Sequence, residues 1–528
     1  MKIQDVRRGM VALVIMLFVG LQGQDALANN LRVTNVVMSA GDVGYTYVQF
    51  NVSWDNSWKA SWMETGVTPN ITLTNWDAAW IFVKYRFQGG DWQHASLSTT
   101  NNEHLAPIGS VINVGISTNS GGTNFGCGAY LYRSAEGSGS WTNLGVKLRW
   151  NYSQDGVATT ARVDVSVHAI EMVYVPQGSF KVGSSGAESG SFAAGPWVSG
   201  AATPFTITNE AALIITNDVA GLWGTSASGN NSIGSTGVLA AAYPKGYNAF
   251  YCMKYEISQG QWVSFFNMLT TSQNQRKSND LNVGRDITGG TYNNQGKGTQ
   301  LETNRNTVAW AGGVADATCT SPDRACNFLS WADGAAYADW AGLRPMSELE
   351  FEKACRGPLT PVANEYAWGS TVVNAVTGFA GGADGSGTET ALPANANCCF
   401  NNIGTVLGPV RCGIFATPVS ARADAGATYW GIMEMSGNVW ERPVTVADAG
   451  RAFTGTVGDG KLDATTGNAN ADFWPGTSAS GAGFRGGIWN ASADYLRASD
   501  RHYAANVIGN RDYTAGFRAV RPASSVVP

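Results

Sequence analysis

Three sets of residues in this sequence have chemistry to offer: its thiols, its imidazoles and one polar, aromatic stretch near residue 500. The thiols are Cys127, Cys252, Cys319, Cys326, Cys355, Cys398, Cys399 and Cys412. No CxxC pair occurs among them, which weighs against zinc and for structural disulfides. Cys319 with Cys326, and one of Cys398 or Cys399 with Cys412, are the local pairings; the rest of the connectivity stays open. His94, His104, His168 and His502 are scattered and leave little material for a His-rich metal centre. The third set lies within 485–518. There, framework residues such as Arg485, Gly486, Gly487, Trp489, Leu496 and Phe517 alternate with short variable-looking clusters. The clusters are Ile488; Asn490, Ala491 and Ser492; Asp494 and Tyr495; Asp500; His502, Tyr503, Ala504 and Ala505; and Asp512, Tyr513, Thr514 and Ala515. The tyrosines supply stiff contact area and the Ser, Asn, Asp and His side chains adaptable hydrogen bonds, which is the chemistry of noncovalent recognition. Each of these positions holds a residue reachable from an AAC or AAT codon by changing adenines alone. Lys, Glu, Gln, Met and Trp, which such codons do not reach, are absent from them. Arg497, Arg501, Arg511 and Arg518 read as buried donors that hold the surrounding backbone.

These residues need elements to position them. Ser258 with Gln261, and Ser347 with Glu350, form capping boxes, and Ser330 heads a third helix that stops at Gly342. The apolar stripe Trp262, Phe265, Phe266 and Leu269 follows the first box, and Leu349, Phe351 and Ala354 follow the last, which ends at Gly357. Ahead of them, 29–170 alternates with period two: Val48, Phe50, Val52 and Trp54; Val146, Leu148 and Trp150; Val163, Val165 and Val167. That rhythm, broken by turn residues, predicts an antiparallel β-sandwich. The class is therefore α+β, with 171–522 as a second, loop-rich domain carrying a Gly/Ser-rich insertion at 184–243. Residues 1–28 read as a signal peptide: Lys2, Arg7 and Arg8, an apolar run from Met10 to Leu21, then Ala26-Leu27-Ala28. The chain is thus expected to be exported, with no membrane segment after cleavage. Charged residues make up 14% of the sequence, against a usual share of about 25%, and the net charge is −5. Nothing in that balance provides a footprint for nucleic acid.

Five stretches together resemble the formylglycine-generating-enzyme (sulfatase-modifying factor) family, which has a C-type-lectin-like fold. They are Met172 to Phe180 with Val182-Gly183-Ser184; Tyr255 to Trp262; Gly342 to Gly357; Met435-Ser-Gly-Asn-Val-Trp-Glu441; and Phe484-Arg-Gly-Gly487 through Gly516-Phe-Arg-Ala-Val-Arg521. In the formylglycine-forming members two cysteines after the closing Gly-Gly bind copper; here those positions are Ala491 and Leu496. Soft Cu(I) needs thiolates, so copper is not expected. A sulfoxide-synthase branch holds iron through His from a separate helical domain, for which this sequence has no counterpart, so iron is not expected either. The family's calcium site maps onto Glu434, Gly437, Val439 and Glu441, oxygen donors suited to a hard cation. The closing segment also resembles the variable region of the diversity-generating-retroelement proteins that use this fold. The resulting expectation is an exported, noncatalytic binder of a protein or glycan through a diversified C-terminal surface. A metal-dependent oxidase of the family, or a structural surface module, is the alternative. The ligand and the oligomeric state are not legible.

Overall fold

The computed structural model describes residues 30–524 apart from 120, 201, 227–228, 271–279, 299–303 and 403. The proposed signal peptide lies outside the described residues. A single eleven-stranded sheet runs through both halves of the chain. Its hinge is the strand Val163–Val175, which pairs antiparallel with Ile71–Phe87 on one side and with Phe250–Met253 on the other. Ala519–Pro522 continues the sheet beside Phe250–Met253 and takes Arg344–Pro345 on its far side. The 170/171 boundary therefore falls inside one continuous strand. Alternation explains how that strand serves three cores: Val163 and Val167 face the N-terminal core, and Met172 and Val173 enter two others.

The N-terminal strands enclose a core built from the residues whose alternation marked them, with Val48, Phe50, Val52, Trp54, Val146, Leu148 and Trp150 all fully buried. Tyr45–Glu64 changes partners along its length. It pairs with Gly137–Trp150 as far as Lys59, and with Ile71–Phe87 from Lys59 to Glu64. The stretch 184–243 is not a loose excursion. It folds into a small sheet of Phe192–Ala194, Leu222–Gly224, Leu213–Ile215 and Gly237–Leu239. Phe192 packs against the guanidinium of Arg501, 4.3 Å from the ring centroid, and Gly190 and Asn231 give Arg501 their carbonyls.

The α-helices among the described residues are Gln259–Asn267, Trp331–Trp340 and Glu348–Arg356, each opened by a complete capping box from Ser258, Ser330 and Ser347. After Val175 the strands are only two to four residues long, and buried ion pairs hold the loops. Glu348 accepts from Arg501 at 2.6 Å and Arg485 at 3.1 Å; Glu352 accepts from Arg485 at 2.7 Å and Arg356 at 2.5 Å. Arg356 also reaches Glu365 at 2.7 Å. Burial opposes the charge on Glu348, but Arg501 and Arg485 outweigh it and hold its carboxyl below the ordinary range. The stability it contributes is complete above its unfolded pKa and is lost as pH falls through the lower folded value. Arg485→Ala strands two buried carboxylates and should cost about 3–5 kcal/mol in chemical denaturation. Arg497→Ala, whose partner Asp494 is exposed, should cost less than about 1 kcal/mol.

Candidate functional site

The segment Gly437–Glu441 lies between the two ends of the closing stretch. Glu441 and Arg485 exchange backbone hydrogen bonds, Trp440 N donates to Thr514 O, and Trp489 N donates to Asn438 O. These approaches need glycine at two points: a Cβ on Gly437 would sit 2.5 Å from Cys398 Sγ, and one on Gly487 2.6 Å from Leu496. Both have φ in the left-handed region, 88° and 78°. The result is an aromatic face. Trp440 meets Phe484 at 5.6 Å, Tyr503 at 5.7 Å and Tyr495 at 6.4 Å between centroids. Tyr495 and Tyr503 stack at 5.6 Å, and His502 packs edge-on against both. Ile488 and Ala515 fill the floor, with Ala491 beside them. Trp489 and Tyr513 form a second pair, 5.7 Å apart, and Tyr513 stacks on Tyr292.

The fifteen predicted face residues divide by burial. Ser492 and Asp494 are exposed, and Asn490, Ala491, Tyr495, His502, Tyr503, Ala505, Asp512 and Tyr513 are half-buried. Ile488, Asp500, Ala504, Thr514 and Ala515 are buried and cannot be offered to a ligand as surface residues. Each has a structural reason. Ile488 and Ala515 pack with Trp440. Ala504 lies where any side chain on Gly483 would strike its carbonyl. Asp500 accepts from the backbone N–H groups of Ser189 and His502, and burial pushes its pKa up to about 6. Thr514 is turned onto Asp512. Of the four arginines expected to be buried donors, Arg501, Arg511 and Arg518 are. Arg497 is half-buried and pairs with Asp494.

The donor sets decide which metals suit this site. At the two copper positions stand Ala491, half-buried, and Leu496, buried, neither of which can bind copper. The histidines do not converge: His94 and His168 stack on Phe82, and His104 accepts from Arg149 N. His502 sits alone at the aromatic face. Among the described residues no group of three or more His, Cys, Asp or Glu side chains is placed to hold a metal. The calcium positions are different in kind, because two of their four donors are carbonyls. Glu441 gives one oxygen to Arg518 at 2.6 Å and Glu434 gives one to Gly413 N at 2.7 Å. The second oxygen of each is buried with no partner. Burial pushes the Glu434 carboxyl up to about 7, with Arg518 and the Gly413 N–H pulling the other way. The disulfide reading is corrected: all eight cysteines are free thiols, and all but Cys319 are buried. Burial raises the pKa of the Cys398, Cys399 and Cys412 thiols.

The sequence reading passed over Arg442, which is fully buried beside this face. Its guanidinium lies 4.3 Å from the centroid of Phe484. The available signal was a charged residue directly after Trp440-Glu441, inside the long buried run 432–446.

Two curated relatives are enzymes by name. One is the hercynine oxygenase of Mycolicibacterium thermoresistibile, 28% identical over 202 residues, which are 37% of this chain and 36% of the relative. The other is the hercynine oxygenase of Mycolicibacterium smegmatis, 26% identical over 183 residues and 34% of each chain. This chain therefore spans about a third of the length of the curated relatives it matches. These relationships overturn the expectation of a noncatalytic, diversified binder and favour an oxidase-like enzyme. The family model described as the sulfatase-modifying factor enzyme 1-like domain matches residues 158–523. That region starts just before the hinge strand and takes in the whole aromatic face, and it identifies the chain as a member of the sulfatase-modifying factor enzyme 1-like family.

Proposed function

We propose that this chain is an oxidase-like enzyme whose reaction takes place against the Trp440, Tyr495 and Tyr503 face. What carries the reading is the relationship to two proteins named as oxygenases, within a family defined by enzyme-type domains. The face suits such a role chemically. Its floor is apolar, and the half-buried His502, Tyr495 and Tyr503 at its rim can hold or move a proton. Burial and the neighbouring Tyr503 hydroxyl raise the Tyr495 pKa, so it stays a neutral donor. The donor sets fit neither a dithiolate copper nor a three-histidine iron. Export, read from Met10 to Leu21, is part of the proposal and rests on the sequence alone.

The test is oxygen uptake by the purified chain on a Cys-containing peptide, with bound copper and iron measured on the same sample. Uptake above the peptide-only rate is expected. His502→Gln and Tyr503→Phe should each lower it, by roughly a hundredfold for whichever serves as general acid or base. No uptake in any preparation, with or without added metal ions, would sink the reading.

We further propose that Glu434 and Glu441, with the carbonyls of Gly437 and Val439, hold a calcium ion that braces the Trp440 segment. The two unpartnered carboxylate oxygens support this, because a buried charge of this kind calls for a cation. A ligand at a hundred times its Kd stabilises by about 2.7 kcal/mol. EGTA should therefore lower the melting temperature of calcium-loaded protein, and Glu434→Gln should abolish the difference. Identical melting of loaded and stripped protein would count against the site.

A further inference from the structure

Buried arginines are common in this chain, and most have an acid beside them. Arg285 and Arg511 pair with Asp333, Arg356 with Glu352 and Glu365, Arg485 and Arg501 with Glu348, and Arg518 with Glu441. Among the described residues Arg521 and Arg442 lack one; Arg521 donates instead to the Gly342 and Ile116 carbonyls and the Ser117 hydroxyl, which leaves Arg442 as the exception. It is as deeply buried as the others, yet no carboxylate comes within ion-pair distance. Its one hydrogen bond runs from Nη2 to Ile508 O at 2.6 Å, and Nε and Nη1 have no acceptor. Asp512, the acid that attracts it most strongly, turns an oxygen onto the backbone N–H and hydroxyl of Thr514. Burial pulls the Arg442 pKa down to about 9, against the attraction of Asp512 and Asp333. A buried cation without a counter-charge is costly, by several kcal/mol per ion, and a structure keeps one where something else provides the charge.

We propose that Arg442 is the carboxylate-binding residue of the aromatic face, and that the enzyme's substrate carries a carboxylate beside an apolar or aromatic group. The inference rests on the enzymatic reading of that face and names its substrate class. The Arg442 guanidinium lies over the Phe484 ring, which in turn contacts Trp440. An anion held there therefore places the rest of its molecule toward Trp440 and Tyr503. With the ring on one side of the guanidinium, Nε and Nη1 keep three N–H bonds with no acceptor, in the rigid fork that matches a carboxylate. The segment 506–510 touches the group through the Ile508 carbonyl, and its Val507 and Ile508 are exposed, so on this proposal a ligand enters by displacing that segment.

The experiment compares two probes on the full chain at constant ionic strength. Phenylacetate and phenylacetamide have the same shape and differ in charge, and calorimetry reads their affinities without turnover. Phenylacetate should bind at least about tenfold more tightly to the unaltered protein, the loss expected from one charge-assisted contact. Arg442→Gln should erase that preference, and Arg442→Lys should keep part of it. Equal binding of acid and amide to the unaltered chain would overturn the proposal, and that comparison needs no variant to fold. So would a preference for the acid that persisted in folded Arg442→Gln protein. The two readings fail separately. Oxygen uptake with no Arg442-dependent binding would remove only this inference, and Arg442-dependent binding without any turnover would remove only the enzyme.

Discussion

The contact on which the rest of this structure depends is the guanidinium of Arg485, held between Glu348 and Glu352. The two acids lie one turn apart on a helix that Ser347 starts, so one face of that helix presents both. The backbone of Arg485 meanwhile pairs with Glu441. One residue thus fixes the strand of the aromatic face to the acidic side of a helix. Every neighbouring group completes the arrangement: Arg501 on Glu348, Arg356 on Glu352, and the Gly183 N–H on the second oxygen of Glu352. Charges at this depth are tolerable only when all their partners are present, so the network behaves as a unit. That is how a domain with short helices keeps long loops in one conformation.

The same arrangement separates the frame of the family from its known metal chemistry. The frame is here in full: the capped helix, the Gly437–Glu441 segment and the closing arginines. The thiolates are not, since Ala491 sits beside the floor and Leu496 packs with Cys398 and Tyr366 in an apolar cluster. Membership and reaction are therefore separate questions for this chain. What its own residues add is a rim of phenols and one imidazole over a buried guanidinium. Few of these were visible as a set, because Arg442, Phe484 and Tyr503 lie far apart in sequence and meet only through the backbone contacts of residues 440 to 443 and 483 to 504.

How much could be read in advance follows from the range of each signal. Capping is a three-residue property, and Ser258, Ser330 and Ser347 each open the helix their spacing predicted. Alternation is also local, and it placed Phe50, Trp54 and Leu148 in a core. The extent of the sheet is not local, so nothing in the rhythm of residues 163 to 175 said that one strand would serve two halves. The burial of Ile488, Ala504 and Ala515 was hidden for a related reason. Small and β-branched residues suit a packed turn as well as an exposed one, and codon accessibility carries no information about depth. Local spacing misled for the thiols, since neighbours in sequence such as Cys319 and Cys326 are not bonded in the structure.

The sheet has a consequence for how the molecule comes into being. Phe250–Met253 lies between Val163–Val175 and Ala519–Pro522, and Ala519–Pro522 alone joins it to Arg344–Pro345. A ribosome has to pass residue 522 before Cys252 meets Val520 and the layer closes. Until then the nascent chain exposes a half-built edge, backed by strands already able to pair, and long-range closure of this kind is slow. Assembly is thus ordered in time: the N-terminal strands can form first, and Ala519–Pro522, made well after them, joins Phe250–Met253 to Arg344–Pro345.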